Sequence, residues 1–202
     1  MPKRLLLFFL LCLPLPGFSA TTVLVLGDSL SAAHGLDQKQ GWVSLLEERL
    51  HQQCAGCRVI NASISGETTA GGRSRIVSLL KQQQPQILIV ELGGNDGLRG
   101  LPITEMYDNL DHIITRALQR HVKVVLIGMR LPPNYGPSYT REFHNVYQRL
   151  AAKYHVPWVP FLLAGFADQQ RLFQGDGIHP VAAAQGIMLD NVWPVLRPML
   201  PK

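Results

Sequence analysis

Short apolar runs alternate along this chain with longer stretches whose apolar positions recur at helical spacing. Residues 21–26, 58–61, 87–92, 122–128 and 156–159 read as five short buried strands. Between them, 42–53, 71–84, 104–120 and 139–154 carry a helical pattern: Leu46 and Leu50 share a face, as do Ile113, Ile114 and Leu118. A last helix is predicted over 181–196, opened by Pro180 at a position where no N–H is missed and stopped before Pro198 and Pro201. Strands alternating with helices predict an α/β fold, a parallel sheet sandwiched by helices with right-handed crossovers.

The first twenty residues do not fit that alternation. Lys3 and Arg4 precede an apolar run from Leu5 to Leu13, then Pro14, Pro16 and Gly17 break any helix before Ser19 and Ala20. This reads as a secretory signal peptide over residues 1–20, too short for a membrane span of about 20 residues, with an uncleaved anchor as the alternative. A cut after Ser19 leaves Gly17 at the −3 position, and a cut after Ala20 leaves Phe18 there. Residues 21–202 are then one domain, 47% hydrophobic and 16% charged over the whole chain, an ordinary globular composition. Of the +5 net charge, Lys3 and Arg4 account for two; the rest is scattered rather than striped, which excludes nucleic acid as the natural partner. Export accounts for Cys54 and Cys57, which form either a small local disulfide or two inert thiols; too few Cys and His lie at suitable spacing for zinc.

In an open parallel sheet, ligands sit beyond the carboxyl ends of the strands. Gly27-Asp28-Ser29-Leu30-Ser31 follows the first strand, Ser65-Gly66 the second and Gly93-Gly94-Asn95-Asp96 the third, so winding alone brings all three to one rim. A serine there is placed as a nucleophile, though the same pentapeptide also makes an ordinary turn with a helix cap. Gly66 can present an unobstructed N–H and Asn95 an amide NH₂, both fitting donors for an oxyanion; equally, Ser65 or Thr68 caps a helix and Asn95 shapes a turn. In Asp176-Gly177-Ile178-His179-Pro180 a carboxylate three residues before a histidine can fix its tautomer and leave the other ring nitrogen for a serine, or else simply cap the turn. Asp28 is read as a turn-shaping neighbour of the serine, not the triad acid. His34 follows the same turn without a nameable partner, and Arg99 and Arg130 are read as solvated.

With Ser29, Gly66, Asn95 and His179 in that order, the chain resembles the SGNH hydrolase superfamily, the GDSL esterases, and the match runs through the whole mature chain. The stretches 61–68, 91–100 and 130–136 are similar to the periplasmic branch of bacterial acyl-CoA thioesterase, lysophospholipase and arylesterase proteins. The resemblance implies a flavodoxin-like three-layer α/β/α sandwich with a five-stranded parallel sheet. It implies a serine hydrolase of esters and thioesters, with Ser29, Asp176 and His179 as triad, Ser29, Gly66 and Asn95 as oxyanion hole, and no metal or organic cofactor. The Cys54 and Cys57 pair is no part of that catalytic pattern.

Leu98, Leu101 and Leu131 are the expected acyl contacts, in loops that follow the third and fourth strands. The expected partner is a small-molecule acyl ester or thioester, acted on by a periplasmic or secreted monomer with no stable membrane anchor after leader cleavage. Two other readings remain at this point: a carbohydrate O-acetyl esterase of the same superfamily, and a non-catalytic periplasmic binding module. Peptide hydrolysis also fits the triad, but amides are poorer acyl donors and nothing marks a peptide cleft.

Overall fold

The computed structural model describes residues 21–201, so the predicted leader and its cleavage point lie outside the described residues. Five strands form one parallel sheet: β1 (Thr22–Gly27), β2 (Arg58–Asn61), β3 (Ile87–Glu91), β4 (Lys123–Ile127) and β5 (Trp158–Val159), in the spatial order β2-β1-β3-β4-β5. Every residue of β1 and β3 is buried, because helices cover both faces of the sheet and the strands need no polar side.

Helices α1 (Trp42–Gln53) and α6 (Ala182–Leu196) pack together on one face. On the other lie α2 (Thr69–Gln83), α4 (Ile103–Leu118) and α5 (Pro137–Tyr154). The stripe that seats α4 is Met106, Leu110, Ile113, Ile114 and Ala117, all buried, at the spacing of one helical face. This is the expected three-layer α/β/α sandwich.

The differences from the sequence reading have local causes. Helix α2 begins at Thr69 rather than 71 because Thr68 takes the N-cap position, its hydroxyl accepting from the Gly71 N–H. Strand β5 is shorter than predicted, since only Leu126 and Ile127 of β4 pair with it. Pro180 does not open α6; it lies two residues earlier in an isolated antiparallel bridge with Phe173. A short helix that the sequence did not announce, α3 (Gly94–Leu98), follows β3. Cys54 and Cys57 are joined by a disulfide that closes the turn between α1 and β2, which decides between the two alternatives above.

One close approach ties the fold to the rim. Gly128, just past β4, donates to the Val159 carbonyl at 2.8 Å and accepts from Leu162 N–H at 3.1 Å. A Cβ at this position would stand 2.7 Å from the Pro160 carbonyl oxygen and 3.1 Å from that of Val159. Both are backbone atoms, which cannot rotate away. Gly128→Ala is therefore expected to lower stability by about 1–3 kcal/mol, read as a fall in urea midpoint at unchanged slope. A wild-type midpoint would show that this corner of the sheet yields to overpacking.

Candidate active site

The strand order places a reversal of winding between β1 and β3, and side chains from the loops after both strands meet there. After β1 the chain turns at once: Leu30 N–H donates to Asp28 Oδ1 at 3.0 Å and Ala32 N–H to the Asp28 carbonyl at 2.9 Å. This turn leaves Ser29 half-exposed at the sheet edge while Asp28 is buried.

His179 arrives from a loop 150 residues away in sequence, and its Nε2 lies 2.8 Å from Ser29 Oγ. Its Nδ1 is 2.6 Å from Asp176 Oδ2. An ionised carboxylate can only accept, so Nδ1 carries the proton and Nε2 is free to accept from the serine hydroxyl. Asp176 Oδ1 also accepts the N–H groups of Ile178 at 2.9 Å and His179 at 3.0 Å. The His179 N–H, then its ring, then the Ile178 N–H hold the Asp176 carboxyl far below the usual carboxylate range.

This loop is anchored by a residue that the sequence reading did not single out. Gln174 Nε2 donates to the His34 carbonyl at 2.8 Å and to that of Pro180 at 3.2 Å, while its own N–H donates to the His179 carbonyl at 2.7 Å. Gly35, at φ +74°, makes room for it: a Cβ there would stand 2.1 Å from Gln174 Oε1. The His34 ring lies 4.3 Å from that of His179, so it flanks the site as a tilted stacking neighbour.

On the opposite side, Gly93 turns the chain at φ +115° into α3, where a Cβ would meet the Tyr147 hydroxyl at 2.4 Å. That turn presents Asn95, whose Nδ2 donates to Asp28 Oδ2 at 3.1 Å and to the Glu67 carbonyl at 3.0 Å. Asn95 therefore joins the loops after β1, β2 and β3. The loop after β2 is fixed further by Asp96, which accepts from the Thr69 N–H at 2.9 Å and from the Thr69 hydroxyl at 2.5 Å. Arg99 is exposed, as expected, and also donates to the Gly66 carbonyl at 2.9 Å. The N–H groups of Ser29 and Gly66 find no hydrogen-bond partner among the described residues. They remain available as donors.

A cavity of about 470 Å³ opens from Ser29, Asn95 and His179. Its wall is mainly apolar, built from Leu98, Met129, Leu131, Phe161, Leu163 and Phe173. Leu98 and Leu131 thus stand where the sequence placed them. Leu101 is not among the lining residues; its N–H donates to the Asp96 carbonyl and its carbonyl accepts from the Tyr139 hydroxyl. Phe161 and Leu163 were missed, although they follow β5 as the other rim residues follow their strands. Arg130 lies at the mouth with its guanidinium 5.3 Å from the centre of the Phe161 ring.

Residues 25–187 match the GDSL-like Lipase/Acylhydrolase family. The esterase TesA of Pseudomonas aeruginosa is 50% identical over 182 residues, which cover 90% of each chain. The thioesterase 1/protease 1/lysophospholipase L1 of Escherichia coli K12 is 38% identical over 192 residues, 95% of this chain and 91% of that one. A crystal structure of TesA superposes with a TM-score of 0.87 at 49% identity, covering 89% of this chain and 100% of that one. With a family match over most of its length and relatives of this identity and coverage, the chain belongs to the GDSL-like lipase/acylhydrolase family.

Proposed function

We propose that this protein hydrolyses carboxylic esters and thioesters of fatty acyl groups through an acyl-enzyme on Ser29. The observation that carries the reading is the hydrogen-bonded chain Ser29–His179–Asp176, with its serine at the mouth of an apolar cavity. Ser29 Oγ attacks the acyl carbonyl while His179 Nε2 takes its proton, and Asp176 orients the ring and stabilises the imidazolium that forms. Negative charge that builds on the carbonyl oxygen is met by the N–H groups of Ser29 and Gly66 and by one N–H of the Asn95 amide, which leaves the Glu67 carbonyl while the other stays on Asp28. The imidazolium then protonates the departing alkoxide or thiolate, and water repeats the sequence on the acyl-enzyme.

The wall of the cavity supports an acyl chain over an acetylated sugar, since leucine, methionine and phenylalanine offer a polyol no hydrogen bonds. Names of the relatives point to esters, thioesters and lysophospholipids as the class of substrate. A periplasmic or secreted location is part of the same proposal. It is supported by the leader-like residues 1–20 and by the Cys54–Cys57 bond, which an oxidising compartment permits.

Wild-type protein is expected to be labelled by a serine-directed alkyl phosphonate, and Ser29→Ala to lose both the label and about 10⁴-fold or more of kcat. Labelling that persists in the folded variant would remove Ser29 from the mechanism. For a series of acyl esters, kcat/KM is expected to rise about fourfold per methylene, the equivalent of ~0.8 kcal/mol of burial, until the cavity is filled. Leu131→Asn flattens that rise and spares acetyl esters. A steep preference of the wild type for acetyl would sink the fatty acyl reading.

A further inference from the structure

Beneath the nucleophile turn lies a pair of carboxyl groups that the mechanism above does not use. Asp28 is 2% exposed and Glu91 is fully buried. Sheet register brings them together, because Gly27 pairs with Glu91 across β1 and β3. Glu91 Oε2 accepts from the Ser31 hydroxyl at 2.7 Å and from the Asp28 N–H at 3.3 Å. Its other oxygen, Oε1, is buried with no hydrogen-bond partner among the described residues. A buried carboxylate with one oxygen unpartnered is strongly disfavoured, and two acids this close do not both ionise.

Asp28 is differently placed. Oδ1 accepts from the Leu30 N–H and Oδ2 from Asn95 Nδ2, so both its oxygens have donors, as a carboxylate requires. Glu91 also has two donors, but both fall on Oε2 and none on the buried Oε1, so Glu91 is the member of the pair that keeps a proton.

We infer that Asp28 is a positioning residue for the oxyanion hole: a negative charge held on Asp28, above a neutral Glu91, fixes one N–H of the Asn95 amide and leaves the other, which rests on the Glu67 carbonyl, to turn to the reacting carbonyl oxygen. Burial first, then the charge on Asp28, pushes the Glu91 carboxyl well above its usual range. Burial also raises Asp28, to about 6, against the opposing pull of the Leu30 N–H, the Asn95 amide and the charge of His179.

The titratable groups that face the pair are His179 from the loop before α6 and Tyr147 from α5, and Asp96 from α3 lies near Tyr147 in turn. Tyr147 is buried, its hydroxyl donating to the Leu92 carbonyl, and burial together with the nearby acids keeps it neutral.

The inference rests on the roles proposed for Ser29, His179 and Asn95, so its first test avoids activity. A folded state that holds a proton on Glu91 competes with an unfolded state that releases it above about 4.5. Stability from that proton is fully present below the unfolded value and is lost as pH rises. Against wild type, Glu91→Gln should therefore gain about tenfold in folding constant per pH unit above that point, measured by urea unfolding. A ratio independent of pH would mean that Glu91 is ionised in the fold and would overturn the assignment.

For the second test, Asp28→Asn should lower kcat by about 10- to 100-fold, with KM within about threefold of wild type. A folded Asp28→Asn with kcat within about twofold of wild type would overturn the positioning role. Should that variant fail to fold, Glu91→Leu, which takes away the partner of Asp28, is expected to lower kcat, and Glu91→Gln to recover most of it. Equal kcat in those two variants would also overturn the role. Phosphonate labelling of Ser29 in wild type separates failure here from failure of the hydrolase reading.

Discussion

Strand β1 pairs with β3 in parallel over five residues, from Val23 opposite Ile87 to Gly27 opposite Glu91, and both strands end at the same level. A parallel pair needs a crossover, and here the crossover carries β2 and α2 to one side before β3 returns beside β1. The loops after β1 and β3 then splay from a shared edge, leaving a crevice between them. Ser29 lies on one lip of it and Asn95 on the other. Their separation is set by hydrogen bonds deep in the sheet rather than by the loops, so an apolar core fixes the geometry of a polar site.

The loop that carries His179 has no such support from the sheet. It is stabilised by its own backbone bonds to Asp176 and by Gln174, which reaches across to the nucleophile turn. Asp176 does two things with two oxygens: Oδ1 shapes the loop and Oδ2 orients the imidazole. One carboxylate thus folds the segment and prepares its histidine, which accounts for a site that is ordered although half of it lies in irregular chain.

Much of this was legible in the sequence, for identifiable reasons. Strand positions followed from continuous apolar runs, and Asp176 with His179 could be read because their contact is local. Ser29, Gly66 and Asn95 could be placed because strand ends define the rim. What escaped depended on contacts distant in sequence. Helix α3 forms from Gly-Asn-Asp-Gly-Leu, mostly poor helix formers, held by Asp28, Thr69 and the Tyr135 and Tyr139 hydroxyls that donate to its carbonyls. Tyr139 likewise takes hold of Leu101, which nothing near residue 101 announces. Phe161 and Leu163 went unnoticed because a two-residue strand gives little periodicity to mark the rim behind it. Gln174 is chemically unremarkable in sequence; only its partners His34, Gly177, His179 and Pro180 give it a role.

Much of the cavity wall comes from a different part of the chain than the reacting groups, although Leu98 shares α3 with Asn95 and Phe173 shares the segment of His179. Met129 and Leu131 follow β4, and Phe161 and Leu163 follow β5, whereas Ser29, Gly66 and Asn95 follow β1, β2 and β3. Chain-length preference can consequently drift by substitution at one end of the sheet while the chemistry at the other is conserved. Such a division makes the scaffold evolvable: new acyl groups are reached by changing the container, without reinventing the reaction.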